Sequence, residues 1–488
     1  MVTAPSAPPK GEDDHERPDK RPRLREQCEP AWPSWGSGSA EVEAAAAGAG
    51  ILRVTVTVVD ATGPASNGEP AIIASGIAFL DHMVDQLTAH AQLRVSLRTW
   101  VDGRAIEPRS NELKQLNADG DLVKLVGSAL GSALKAMLAS GPRTNNSTVG
   151  ADSTLRASPA TRFSFCAPLD EAFTELSLDF PRDSETLVGS AEVDLAPYGV
   201  YPRGGREFIG SFRTVLTKDF FVHLARSLGC GLHLRKVRGE NAHHIVEASF
   251  KSFARCLRKA MDSLCGFEAV AYTAAPAQPR SSRKQRSTKE TKIDVALELD
   301  PAPGAALSVS TGIATLDGLL RELVASGGMG VSACCSGDTW IDEHHSAEDV
   351  MITVGKALAD ALGDKGGLNR MGCAEGECGR ARVRCVMDLS NRPSFCSSLC
   401  LQAGGEEMVG DLSVEMIHHC FESFVLNALM TVHLEQLAGG TVPGQNEPQA
   451  GDVALAAARA LGSALRQCAA IDPRRAGATA SSKGTLSK

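Results

Sequence analysis

"HHIVEASFKSFARCLRKAM" (243–261) and "HHSAEDVMITVGKALADAL" (344–362) decide how this chain is read. Each opens on two adjacent histidines and carries Glu four residues after the first. Each then runs on with apolar residues at every third or fourth position, the period of a helix buried along one side. On a helix, His243 shares a face with Glu247, and His344 with Glu348. His244 and His345 are each turned by about 100° and would reach a different ion. Two such helices facing each other can hold a pair of cations. Imidazole with carboxylate suits Mn, Fe, Zn or Ni. A lone histidine is more often a core or surface residue than a ligand. Two doublets with Glu at the same offset, each opening a helix, point instead to metal.

The doublets belong to a wider repetition. "SGIAFLDHMVDQL" (75–87) matches "TGIATLDGLLREL" (311–323), and both read as helix starts. "LNADGDLVKLVGSALGSAL" (116–134) and "GDVALAAARALGSALRQ" (451–467) are weaker cousins of the doublet helices. Each half thus contains one sheet-then-helix unit twice, with a period far longer than a solenoid's. The ligand types do not repeat. Leu116, Asn117 and Gly120 stand where His344, His345 and Glu348 stand, and Gly451, Asp452 and Leu455 where His243, His244 and Glu247 stand.

A chain of 488 residues is too long for one ordinary core. The expected division is a disordered extension at 1–50, a first domain at 51–268, a linker at 269–287 and a second domain at 288–488. Order is expected to begin at the alternating run "ILRVTVTVV" (51–59) and to resume at "TKIDVALELD" (291–300). Hydrophobic residues at 43%, charged residues at 22% and a net charge of -8 describe an ordinary globular chain with no footprint for nucleic acid. No apolar run was expected to reach the length of a membrane span. Fourteen Cys are too sparse for a disulfide scaffold and read as buried thiols in a reducing compartment. "DKRPRLRE" reads as a solvated charge run rather than an address, and no targeting signal is clear, which leaves cytoplasm or plastid.

"GIAFLDHMVDQL", "APLDEA", "HHIVEASFKSFARCLR", "TKETKI", "HHSAEDV", "LNRMG", "DLSNRP" and "DPRRAGATASSKGTLS" together resemble the motifs of imidazoleglycerol-phosphate dehydratase, an enzyme family of histidine biosynthesis. The likeness runs from about residue 51 to 488 and occurs twice, as two fused domains of which neither is complete. It implies an α+β fold of two tandem dehydratase domains, each of two similar sheet-plus-helices halves (ribosomal protein S5 domain 2-like). It further implies sheets packed face to face with helices outside.

The resemblance implies two Mn2+ per site at a subunit interface. Its ligand positions match His82, His243, His244 and Glu247 in the first domain, and His344, His345, Glu348 and His419 in the second. Asp219 replaces the late histidine in the first domain, and Gly318 the early one in the second. Each module survives once, giving one full ligand set per chain. The family's phosphate grip matches Lys251, Arg370, Arg392, Ser481 and Lys483, and Arg459 stands at the second-domain counterpart of Lys251. Gln86 matches a substrate contact that Glu322 replaces in the second domain, Glu290 matches the acid–base carboxylate, and Asp170 matches a position of doubtful role.

The implied reaction removes water from imidazole glycerol phosphate to give imidazole acetol phosphate. The proton to be lost sits on carbon and is not acidic. Cations favour the deprotonated imidazole ring, and Glu290 would shuttle protons. The basic cluster turns phosphate binding into orientation of the reacting end. Its partners would be a small phosphate substrate and copies of itself, with twelve tandem chains filling the family's cubic shell of twenty-four domains. Neither nucleic acid nor a membrane is expected as a partner. The alternative reading is a non-catalytic metal-bound scaffold or regulatory relative.

Overall fold

A computed structural model describes residues 35–46, 50–62, 71–107, 118–141, 143–144, 147–148, 162–180, 189–264, 279–302, 307–401, 405, 407–437, 448–475, 478–483 and 485–486. Four copies of one unit fill them. The first comprises β1 (Ser37–Ala46), β2 (Gly50–Asp60), β3 (Ile73–Ala74), α1 (Ala78–Ala91), β4 (Leu93–Val101) and α2 (Asp119–Ala139). The second comprises β5 (Arg162–Leu169), β6 (Ala172–Asp179), β7 (Ser190–Asp194), α3 (Leu216–Leu228), β8 (Gly231–Arg238) and α4 (Ala242–Leu264). The third comprises β9 (Ser281–Ser287), β10 (Thr291–Glu298), β11 (Ser308–Ser310), α5 (Ala314–Gly327), β12 (Gly330–Gly337) and α6 (His344–Leu362). The fourth comprises β13 (Met371–Cys378), β14 (Ala381–Asp388), β15 (Ser394–Ser398), α7 (Val414–Asn427), β16 (Thr431–Gln436) and α8 (Ala450–Ala469).

Each unit is an antiparallel hairpin whose second strand pairs the fourth, while the third lies parallel on the fourth's far side. The alternation Leu52, Val54, Val56, Val58 is fully buried on one face of β2, as its period of two requires.

The layers are the reverse of the sheet-to-sheet order expected from the resemblance. Helices form the middle of each domain: α2 packs on α3 and α1 on α4, then α5 on α8 and α6 on α7. The sheets lie outside them. The reason is written in the helices. α4 buries nearly its whole circumference, from Ile245 to Leu264, which a helix facing water cannot do. Gly127 of α2 lets the α3 backbone approach so closely that a Cβ there would sit 2.6 Å from the Phe220 carbonyl oxygen.

Two boundary expectations are also corrected. Residues 37–46, assigned to a disordered extension, form β1. Its small residues lie under α2, where Gly38 meets the Ala133 carbonyl oxygen, so low side-chain volume there reflects close packing rather than disorder. Residues 281–287, assigned to the linker, form β9. This strand is polar because it is a sheet edge, and its charges are partnered, as in Arg283–Asp294 and Lys284–Asp360. Among the described residues one helix, α2, is long and apolar enough by composition to cross a membrane, against expectation; here it is core, packed between β1 and α3. Of the described cysteines only some are buried; Cys334 and Cys400 are exposed.

The two domains meet through the strands of their second and fourth units and through α1 of the first unit. β5 crosses β13, β14 and β16. The Arg255 guanidinium donates to the carbonyls of Asn369 and Met371. Arg474 pairs with Asp262 at 2.8 Å, and the Gln92 amide donates to Asp472 at 2.8 Å. The end of the second domain is thus fastened onto α1 and α4 of the first.

Gly127→Val should cost at least ~1–3 kcal/mol in denaturant unfolding, because the α2–α3 contact cannot relax around it. Gly318→Ala, with nothing within 4 Å of the new methyl, should be neutral or stabilising by up to ~1 kcal/mol.

Candidate active site

α1 presents His82, Gln86 and His90 at intervals of four residues, along one face. α4 starts where the Asn241 side chain accepts the His243 N–H at 2.9 Å, beside Glu171, which accepts from the backbone of Glu240 and Asn241. These starts bring three side chains together. The Glu247 carboxylate lies 3.0 Å from His243 Nε2 and 3.5 Å from His82 Nε2, and its other oxygen lies 2.8 Å from Lys251 Nζ. Burial alone would raise the Glu247 pKa, but Lys251, His243 and His82 outweigh it and hold the carboxyl well below its usual range. Lys251 is fully buried, so desolvation lowers its pKa while Glu247 opposes the loss of charge. The pair stands as an ion pair with one carboxylate oxygen left toward the histidines.

The second doublet builds a parallel cluster. Asp342 accepts the His344 N–H at the start of α6. Glu348 lies 3.2 Å from His419 Nε2 on α7 and 3.9 Å from His344 Nε2. In each cluster one ligand atom from each of three residues converges within 4.8 Å: His82, His243 and Glu247 in one, His344, Glu348 and His419 in the other.

The second histidine of each doublet turns away, as its helical offset requires. His244 Nδ1 lies 2.6 Å from Glu171, and His345 Nδ1 lies 3.1 Å from Asp338. Burial works against charge on His244, but Glu171 raises its pKa, while desolvation of Glu171 is overcome by His244 and the Asn241 amide, which lower it to about 2. An imidazole that donates Nδ1–H to a carboxylate offers Nε2 as a ligand, the usual support behind a metal-bound histidine. Donor types and spacing fit a divalent cation of the imidazole–carboxylate kind.

A cavity of about 240 Å³ opens beside the first cluster, at the boundary between the domains. Its wall includes His82, Gln86, His243, His244, Glu247 and Lys251 from the first domain, and Arg370, Arg392, Ser481 and Lys483 from the second. Buried Arg370 is held bidentately by Asp388 at 2.7 and 2.8 Å and donates to the Ala480 carbonyl oxygen, which ties the tail over the cavity. Arg392 donates to Asp170 at 2.9 Å. That settles what Asp170 touches. Its carbonyl accepts from His433 Nε2, and His433 Nδ1 faces Arg238 at 3.2 Å. Burial and Arg238 lower the His433 pKa to about 3, so the ring is neutral and can accept from one side while donating to the other.

The sequence-predicted residues therefore fall into two groups. The phosphate set, Gln86 and the first-domain ligands share the cavity. His344, His345, Glu348, His419 and Glu290 do not line it; exposed Glu290 faces His345 instead. Leu116 and Asn117, the expected replacements in the first domain, lie outside the described residues. Elsewhere the lost modules are filled by ion pairs. Arg459 and Glu322, the counterparts of Lys251 and Gln86, bond at 2.7 Å, and Arg213–Asp119 stands at 2.7 Å beside Gly120, the counterpart of Glu348.

His90 was missed from sequence. It is fully buried, lines the cavity with an unpartnered Nδ1, and is kept neutral by burial and by Arg370, Lys251, Arg255 and Arg475. Its spacing from His82 and Gln86 was the available signal. Glu171 and Asp338 were missed because nothing in sequence spacing ties them to the histidines they orient.

A cavity with a basic wall beside an imidazole–carboxylate cluster is the layout of a candidate metal centre next to an anion-binding surface. The sequence profile of the imidazoleglycerol-phosphate dehydratase family matches twice, at residues 75–257 and 311–465, and the chain belongs to that family of hydro-lyases. Similar proteins include imidazoleglycerol-phosphate dehydratase 1, chloroplastic, of Triticum aestivum, 37% identical over 236 residues that make up 48% of this chain and 83% of the relative. The imidazoleglycerol-phosphate dehydratase of Neurospora crassa is 40% identical over 232 residues, covering 43% and 96%. The crystal structure of the Staphylococcus aureus enzyme is 25% identical, with a TM-score of 0.32, and spans 39% of this chain and 98% of its own.

Glu171→Gln should lower the stability of the metal-free chain by ~1 kcal/mol. A depressed carboxyl stabilises above its ordinary 4.5 and loses that as pH falls toward about 2. The raised His244 contributes below its ordinary 6.5 and loses that as pH rises through its folded value. Urea midpoints of wild type and variant should differ most between these two ordinary values and converge on either side.

Proposed function

We propose that this chain dehydrates imidazole glycerol phosphate to imidazole acetol phosphate in histidine biosynthesis, at a di-metal site completed between two copies of the chain. One observation carries the reading. A single cavity joins the four first-domain ligand positions and the whole basic grip, while His344, Glu348 and His419 converge in a second, half-exposed cluster outside it, with Glu290 facing His345. Bringing the second cluster of one copy to the cavity of another yields His82, His243, His244, Glu247, His344, His345, Glu348 and His419 in one place, with each chain supplying one site. Exposed Trp340 and Ile341, at 82% and 63%, lie four and three residues before His344 and give that face an apolar rim suited to contact. The family's shell would take twelve such chains.

Two Mn2+ bound there would stabilise negative charge on the substrate's imidazole. The chain's own groups do the rest. Arg370, Arg392 and Lys251, with Ser481 and Lys483, hold the phosphate, Arg by its planar fork and Lys as a point charge. Gln86, with its side-chain oxygen unpartnered and buried, is placed to accept from a substrate hydroxyl. Neutral His90 adds a hydrogen-bonding nitrogen that does not repel the neighbouring cations. Glu290 from the other copy takes the proton from carbon and delivers one to the departing hydroxyl. The buried grip fixes the far end of the substrate so that this carboxylate meets the right carbon.

Arg392→Ala should raise KM for the phosphate substrate about 10–100-fold, the cost of one charged hydrogen-bonding group. His243→Ala and His344→Ala should each abolish turnover. Co-refolded in equal amounts, the two variants should regain about a quarter of wild-type activity, since random pairing of heterologous faces restores that share of sites. No recovery in verified mixed oligomers would contradict a site shared between copies. Absence of turnover in the manganese-loaded wild type would remove the dehydratase reading itself.

A further inference from the structure

Cys166 lies on β5 of the first domain and Cys373 on β13 of the second, two strands that pack across the domain boundary. There Cys166, Phe173 and Val386 form a small buried apolar cluster, and Cys373 packs against it with Val237. The Cys166 thiol is hydrogen-bonded with that of Cys373; this contact and burial together push its pKa up. The Arg384 guanidinium lies beside both sulfurs. It also faces Glu175, Glu375 and Glu435 at 3.4 to 3.5 Å. Each cysteine stands three residues from the cavity wall: Leu169 follows Cys166, and Arg370 precedes Cys373.

We propose that Cys166 and Cys373 are a redox-active dithiol that closes to an inter-domain disulfide and locks together the two walls of the substrate cavity. The half-exposed sulfur of Cys373 meets the oxidant, a small-molecule disulfide of the glutathione class. Cys373, as its thiolate, attacks that disulfide and releases one small thiol. The Cys166 thiolate then attacks the Cys373 sulfur of the mixed disulfide and releases the second. The protein loses two protons and two electrons, and the small disulfide gains both as two thiols. The link joins strands far apart in sequence, so it removes much freedom from the unfolded chain. It acts on the boundary inside one chain and does not depend on how copies associate.

The test equilibrates the native full-length chain in glutathione buffers of rising oxidised fraction. Exchange is then quenched with acid, free thiols are alkylated as the chain is unfolded, and peptides are mapped by mass spectrometry. The expected result is a Cys166–Cys373 cross-link that reduction reverses, with a denaturation midpoint that rises on oxidation and returns on reduction. Cys373→Ser, at a half-exposed position, should fold and show neither effect, and Cys166→Ala should repeat that. The proposal is overturned if both cysteines remain alkylatable in the fully oxidised buffer, or if Cys166–Cys373 forms only in denaturant. A bond that forms without raising the midpoint would overturn its locking role.

Discussion

A catalytic divalent cation bound by imidazole and carboxylate takes about three protein donors and keeps a position open, and each cluster here converges three such atoms. The placement of those donors organises the rest. The donors sit on helix starts, where Asn241 and Asp342 fix the first turn and the doublet splits into one residue facing inward and one facing a supporting carboxylate. Placing four helices in the middle of each domain turns those starts toward the domain's edge. A cluster there keeps positions open toward a second surface, and in the proposed reading that surface belongs to another copy.

Duplication explains how such a division is tolerated. The unit recurs four times with the same strand order, so a helix that loses its ligands still has its packing role. The ion pairs Arg459–Glu322 and Arg213–Asp119 stand where the resemblance would place substrate contacts and metal ligands. Meanwhile Asp170 of the first domain holds Arg392 and the neutral His433 ring of the second, and Asp388 holds Arg370 within the second. Arg370 and Arg392 are therefore held by protein carboxylates on the cavity wall.

Much of this was legible in the sequence. The 3.6-residue period gave the doublet helices, and the alternation in "ILRVTVTVV" gave β2. The cluster geometry followed from the offset of four between His243 and Glu247. What was not legible depends on the third dimension. β1 and β9 lack the usual strand composition because one lies under a helix and the other is a charged edge. The inner position of the helices shows only in how much of their circumference is buried. Glu171 and Asp338 reach their histidines through loop geometry, and the separation of the clusters within a chain is a property of the assembled fold.

Counting metal against association state tests the central claim most directly. Manganese content per chain should be measured on fractions resolved by size, from fully associated protein to dissociated single chains. The account predicts two tightly held ions per chain in the associated form and loss of that affinity when chains separate. Dissociated chains that keep two ions with undiminished affinity would contradict it.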